Sequence, residues 1–154
     1  LISFVWNGNI KEYFLMLVFL LVFILTSVLY LDTTKNNYTL NGNNMAISYL
    51  AYPLYGLAQL FFFQSIITNR LSSYMSREKV IFMGALLFSL FHYRKCCRLM
   101  VFTFFLGAYY TYYFLKYRSI LPLALMHGVF ATTFYYFIGQ EDVIGLVKNE
   151  MSSL

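Results

Sequence analysis

Charge is what this sequence has least of. Only 11% of its 154 residues are Asp, Glu, Lys or Arg, against about 25% in soluble domains, which excludes an ordinary water-soluble globule. Its cations fall in short stretches between apolar runs. That distribution reads as headgroup contact and topology and excludes a nucleic-acid surface. No small-residue cleavage site follows the first long apolar run, which is itself of full span length, so no secretory signal is expected. Internal repeats, low-complexity segments and any haem-attachment motif are missing as well. Cysteine is reduced to the adjacent Cys96 and Cys97. Their neighbours Arg94, Lys95 and Arg98 favour thiolate, and membrane-proximal cysteines accept acyl chains, although two ordinary loop cysteines is the plainer reading.

Apolar and aromatic side chains fill the space that charge leaves: 60% of residues are hydrophobic and 21% aromatic. About 20 apolar residues suffice to cross a bilayer as a helix. Tyr13 to Leu31 is uncharged and predicts a first span, followed by a polar loop from Asp32 to Asn44. Met45 to Thr68 predicts a second, kinked by Pro53 about two turns before Gln59. Val80 to Tyr93 is short for a crossing and predicts a tilted or partly submerged helix, the most enclosed of the set. Leu99 to Leu115 and Ile120 to Gly139 complete the series, the last opened by Ser119 as cap and Pro122 in the first turn. The expected fold is therefore all-α, a polytopic transmembrane helical bundle of about five membrane segments. It forms a single membrane-embedded domain over residues 1–154, with a tail at 140–154. The positive-inside rule gives no orientation, because the two sides carry nearly equal numbers of Lys and Arg.

Polar groups inside these runs carry the chemistry. Gln59 and Gln64 sit in the second span, where an amide needs a partner within the protein. They are five positions apart, roughly 140° around an α-helix, so they do not share one partner side by side. His92 and His127 lie in separate apolar segments and are the chief candidates to meet them. The expectation is that Gln59, Gln64, His92 and His127 are buried against one another, with the second, third and fifth segments packed together. Plainer roles exist for each. His92 at a helix end reads as an interfacial, water-facing side chain. His127 reads as a neutral imidazole bonded to Tyr, Gln or a carbonyl, and the glutamines as interhelical ties.

Three separated stretches resemble the CAAX-protease and bacteriocin-processing (Abi) family of intramembrane proteases. Gln59 to Leu71 is similar to the first motif, with Gln59 and Leu60 at its two glutamates, Gln64 at its arginine and Ser65 at its glycine. Phe88-Ser89-Leu90-Phe91-His92 is similar to the second, a Phe four residues before a His. His127 to Ala131 resembles the third, a His four residues before Asn or Asp. Phe105-Leu106-Gly107 and Arg118 to Pro122 resemble the connecting sequence, and the resemblance runs roughly from Ala51 to Gly139, which implies a CAAX-protease-like core at 51–139.

In active relatives the first glutamate activates water with help from the two histidines and the Asn. An amide at Gln59 takes up no proton near neutral pH and is no general base. Leu60, Gln64 and Ala131 remove the remaining carboxylate, the arginine and the last amide. The resemblance thus implies a protease fold without its glutamates: a non-catalytic binding or accessory subunit of a membrane assembly. Its partners would be membrane lipid, other membrane subunits or a membrane-tethered peptide, with Gln64, Phe88 and Ala131 lining the cavity. The alternative is an active endopeptidase using Gln59, His92 and His127 in a variant site. A weaker one is haem or quinone binding between the histidines. No cofactor or metal is expected, since two histidines fall short of the usual three protein ligands of zinc.

Overall fold

The computed structural model describes residues 10–34, 39–93 and 97–145. Arg94, Lys95 and the Cys96 half of the cysteine pair lie outside them, as does the end of the tail. Among the described residues six α-helices follow in order: α1 (Ile10–Thr34), α2 (Gly42–Leu60), α3 (Asn69–Ser72), α4 (Arg77–Leu90), α5 (Cys97–Tyr117) and α6 (Leu121–Thr133). Wide π-helical stretches, bonded five residues apart, follow α2 at Phe61–Thr68 and α6 at Phe134–Ile138. Helix is the expected outcome for apolar runs of this length, because inside hydrocarbon every backbone N–H and C=O must be satisfied within the segment.

Among the described residues three stretches are long and apolar enough to cross a membrane: Ile10–Asp32, Gly42–Ser72 and Leu121–Ile138. The other two segments expected from sequence form helices but fall short of that standard. With 14 residues α4 is too short. In α5 the tyrosines at 109, 110, 112, 113 and 117 dilute the apolar character of an otherwise sufficient length. Boundaries shift at several places. Asp32 belongs to α1, and Gly42 to Asn44 already belong to α2. Because α6 begins at Leu121, Ser119 stands two residues before the helix. The most enclosed segment is α6, in which Leu123, Ala124, Met126, His127 and Phe130 are all buried. The short α4 keeps Phe82 and Leu90 exposed.

The chain divides into two compact units. The central unit is built on Leu57–Leu123 and holds the first π-helix with α3, α4 and α5. The flanking unit joins Asn9–Gly56 to Ala124–Leu154, and so holds α1, most of α2 and most of α6.

In the central unit α4 and α5 form an antiparallel pair. Their closest approach is set by two glycines. A methyl group at Gly84 would meet the Thr111 hydroxyl oxygen at 2.5 Å, and one at Gly107 would meet the Phe88 Cβ at 2.9 Å. Around that seam lies an aromatic core in which Phe88 meets Phe63, Tyr110 and His92 edge-on or tilted, with centroids 5.2–5.8 Å apart.

The flanking unit is held by a similar close approach of α2 and α6. Gly128 lies so near Pro53 that a Cβ would stand 2.5 Å from its nitrogen. Pro53, which has no N–H to give, thus sits inside α2 and turns its ring and nitrogen toward a neighbouring helix. Phe130 of α6 receives Phe19 and Phe23 of α1 edge-on, at 5.5 and 4.7 Å. Near the start of α2, Asn44 donates to Asp142 (2.7 Å), as does the Tyr136 hydroxyl (3.0 Å), and Ser48 shares a hydrogen bond with Tyr136 at 3.2 Å. The chain beyond the second π-helix is thereby tied back to α2.

Candidate functional site

The stretch resembling the first motif coincides with the π-helix. Gln59 and Leu60 close the last α-turn, and Gln64 and Ser65 lie in the wide segment Phe61–Thr68. Such wide turns are rare and concentrate at functional sites.

Gln64 is 2% exposed. Its amide nitrogen points to the Thr111 hydroxyl of α5 at 3.4 Å, and its carbonyl oxygen accepts from Thr68, one turn on, at 3.0 Å. Sequence reasoning set it against the histidines; the structure sets it against threonines. Thr111 was missed because a threonine in an apolar run carries no charge to mark it. One signal existed. Thr103, Leu106, Gly107, Tyr110, Thr111 and Phe114 recur at helical spacing and are all buried, which marks an internal face.

Leu60, at the position of the second glutamate, is completely buried, whereas Gln59 is half-buried. Among the described residues the Gln59 amide has no hydrogen-bond partner. Next to Gln64, the Ser65 hydroxyl is likewise enclosed without one, while the Ser65 carbonyl accepts from the Asn69 amide at 2.8 Å.

His92 lies in the turn after α4, outside the three candidate spans. Its Nδ1 pairs with the Phe88 carbonyl at 2.8 Å, and its half-buried ring tilts against the Phe88 ring. Burial holds the imidazole below its ordinary pKa of 6.5, and the Phe88 carbonyl partly offsets that fall. This arrangement gives a mostly neutral ring near pH 7 with Nε2 left for a second partner. Phe88 itself is fully buried and acts as the platform for that ring.

His127 and Ala131 belong to the flanking unit. Two turns into α6, His127 is buried, only 6% exposed. Its ring lies over Gly56 of α2: a Cβ at position 56 would come within 2.9 Å of the imidazole Cδ2 and 3.1 Å of the Ala124 carbonyl oxygen. Gly56 therefore leaves the space that the ring occupies, a role that sequence reasoning did not assign. Ala131 is half-buried one turn further on.

Gln59, Gln64, Phe88 and His92 thus share the central unit, while His127 and Ala131 share the other. Among the described residues no three His, Cys, Asp or Glu side chains group as metal ligands. A family model described as type II CAAX prenyl endopeptidase Rce1-like matches residues 41–133, more than half of the 154-residue chain. No curated protein and no solved structure matches it.

Proposed function

Since this chain belongs to the Rce1-like type II CAAX prenyl endopeptidase family, we propose that it is a membrane protein that keeps the family fold and acts by binding, as an accessory subunit of a membrane assembly. One observation carries this reading: Gln64 spends its amide on Thr111 and Thr68. The position where the resemblance expects a positively charged side chain at the site is used to fasten the π-helix to α5. Leu60 argues in the same direction. A fully enclosed leucine replaces a carboxylate, and an ionised group in that environment would need a partner to offset its desolvation. Gln59 adds a side chain unable to accept a proton from water.

A second reading, an active endopeptidase using Gln59, His92 and His127, is favoured by the π-helix at the first motif and by the neutral ring of His92. In that reading the histidines, not Gln59, take the proton of the attacking water. The deciding experiment is cleavage of a membrane-tethered peptide by the purified chain and by His92→Ala and His127→Ala. Binding without turnover by the parent chain supports the accessory role. Turnover that disappears in both variants, with helical content retained, overturns it.

A further inference from the structure

The connection from α3 to α4 and the last turn of α5 are some forty residues apart in sequence but meet in the central unit. Arg77 lies over the ring of Tyr112 at 5.2 Å, and Lys116 lies near the same ring at 5.8 Å and over Tyr117 at 4.8 Å. Arg70 stacks on Tyr74 at 5.1 Å. Arg118 takes a left-handed backbone conformation, φ 54°, with its guanidinium against the Phe114 ring and donating to the Asn69 side-chain oxygen. Together with Lys79, these five cations are all exposed.

Opposing charge is scarce there. Glu78 is the one acidic residue between Leu57 and Leu123. Its own backbone N–H first, then the Ser76 hydroxyl and the charge of Arg77 hold its carboxyl below the usual carboxylate range. Tyr74 is 69% exposed and Met75 40%, so amphipathic and apolar surface is interleaved with the cations. The candidate span Gly42–Ser72 also ends at this cluster.

We infer that this end of the central unit, Arg70, Arg77, Lys79 and Lys116 around Tyr74 and Tyr112, is a docking surface for anionic phospholipid headgroups. Cations on tyrosine faces at the end of a span suit the phosphate level of a bilayer, where aromatic rings sit and anionic lipid attracts Lys and Arg. Two cations drawn to one ring from distant segments also repel each other, and a phosphate held between them relieves that repulsion. The inference rests on membrane embedding but not on whether the chain cleaves peptides.

The test reconstitutes the full chain in vesicles of phosphatidylcholine and phosphatidylglycerol, extracts it in mild detergent and measures the co-purifying lipid by mass spectrometry. The expected result is an enrichment of phosphatidylglycerol of roughly threefold or more, falling as sodium chloride is raised. Arg70→Gln/Arg77→Gln/Lys116→Gln should abolish it; Arg118 is spared because it also ties α5 to Asn69. The charge-keeping pair Arg77→Lys/Lys116→Arg should retain it, and with the salt series it keeps the test readable should the triple variant fold poorly. Equal recovery of the two lipids, or enrichment unchanged in a folded triple variant, overturns the inference. Displacement of phosphatidylglycerol by equimolar inorganic phosphate overturns it too, by revealing a site for free phosphate. A chain that does not remain with the vesicles defeats membrane embedding itself, a different failure from equal recovery.

Discussion

Two buried positions, one in each unit of this molecule, are set up by different features. Each must hold a polar side chain inside a mostly apolar interior. The central unit does it with hydrogen bonds, giving the Gln64 amide to Thr111 and Thr68. The flanking unit also makes room, with Gly56 admitting the His127 ring and Gly128 bringing α6 against Pro53. Their charges differ as well. Residues 57–123 carry eight Lys and Arg against one acid, whereas the rest of the chain carries three Lys against five acids. A contact made by directional bonds tolerates loss of one partner at moderate cost. One set by close approach fails abruptly when an atom is added.

The largest effect is therefore expected from Gly128→Ala. Its new methyl would press on the nitrogen and ring of Pro53, neither of which can rotate away, so destabilisation of about 3 kcal/mol is expected. Denaturant unfolding in detergent measures it, and a loss as small as that of the milder variants below would break the comparison.

Next comes Gln64→Arg, which restores the residue type of the family motif. It should cost about 2–3 kcal/mol, because a guanidinium replaces an amide at a site 2% exposed. Gln64→Ala should cost only about 1 kcal/mol, since it removes a hydrogen-bonded tie without burying charge. If arginine proves as well tolerated as alanine, the site has access to water or an anion, and the accessory reading weakens.

Gly56→Ala should be milder than Gly128→Ala, about 1 kcal/mol. The nearest atom belongs to a ring that can tilt, although the Ala124 carbonyl oxygen at 3.1 Å limits how far the helices can close. The informative measurement is the imidazole NMR shift of His127, which should move while that of His92 stays fixed.

The smallest effect concerns His92. Burial lowers its folded pKa beneath 6.5, so the unfolded chain binds the proton more readily. Its neutral form contributes stability above pH 6.5, and that contribution is lost as pH falls through 6.5 toward the folded value. Thermal midpoints measured between mildly acidic and neutral pH should fall on the acid side, and His92→Gln should flatten that part of the curve. A midpoint that rises on acidification would mean that the ring gains an acidic partner.

Helices and their order were legible in the sequence because uncharged apolar runs have few alternatives in a membrane. Tyr13 to Leu31 became Ile10–Thr34, and Met45 to Thr68 became Gly42–Ser72. The family was legible from Gln59, His92 and His127 at their spacings, and residues 41–133 match its model. Pairing was not legible. The partner of Gln64 is 47 residues away, and an uncharged hydroxyl leaves little trace in a hydropathy pattern. Nor was the place of Gly56, since a glycine in an apolar run looks like filler until its neighbour is known. The tyrosines of α5 divide between two environments, which spacing alone does not reveal: Tyr110 and Tyr113 are fully buried, while Tyr112 is exposed and faces cations.

The π-helix after Leu60 has a bearing on how this chain tolerates insertion and deletion. An α-helix advances about 100° per residue, so one residue lost from an ordinary span rotates everything beyond it off its proper face. A π segment is equivalent to an α-helix that has absorbed extra residues without breaking. Phe61–Thr68 thus acts as a phase joint: residues before it and after it keep separate angular registers. Shortening it by one residue would draw the segment toward α-geometry and change the register between Gln59 and Thr68. Alignments that count residues from Gln59 to Gln64 therefore compare positions in the chain, while the faces those positions occupy depend on how many residues the joint holds.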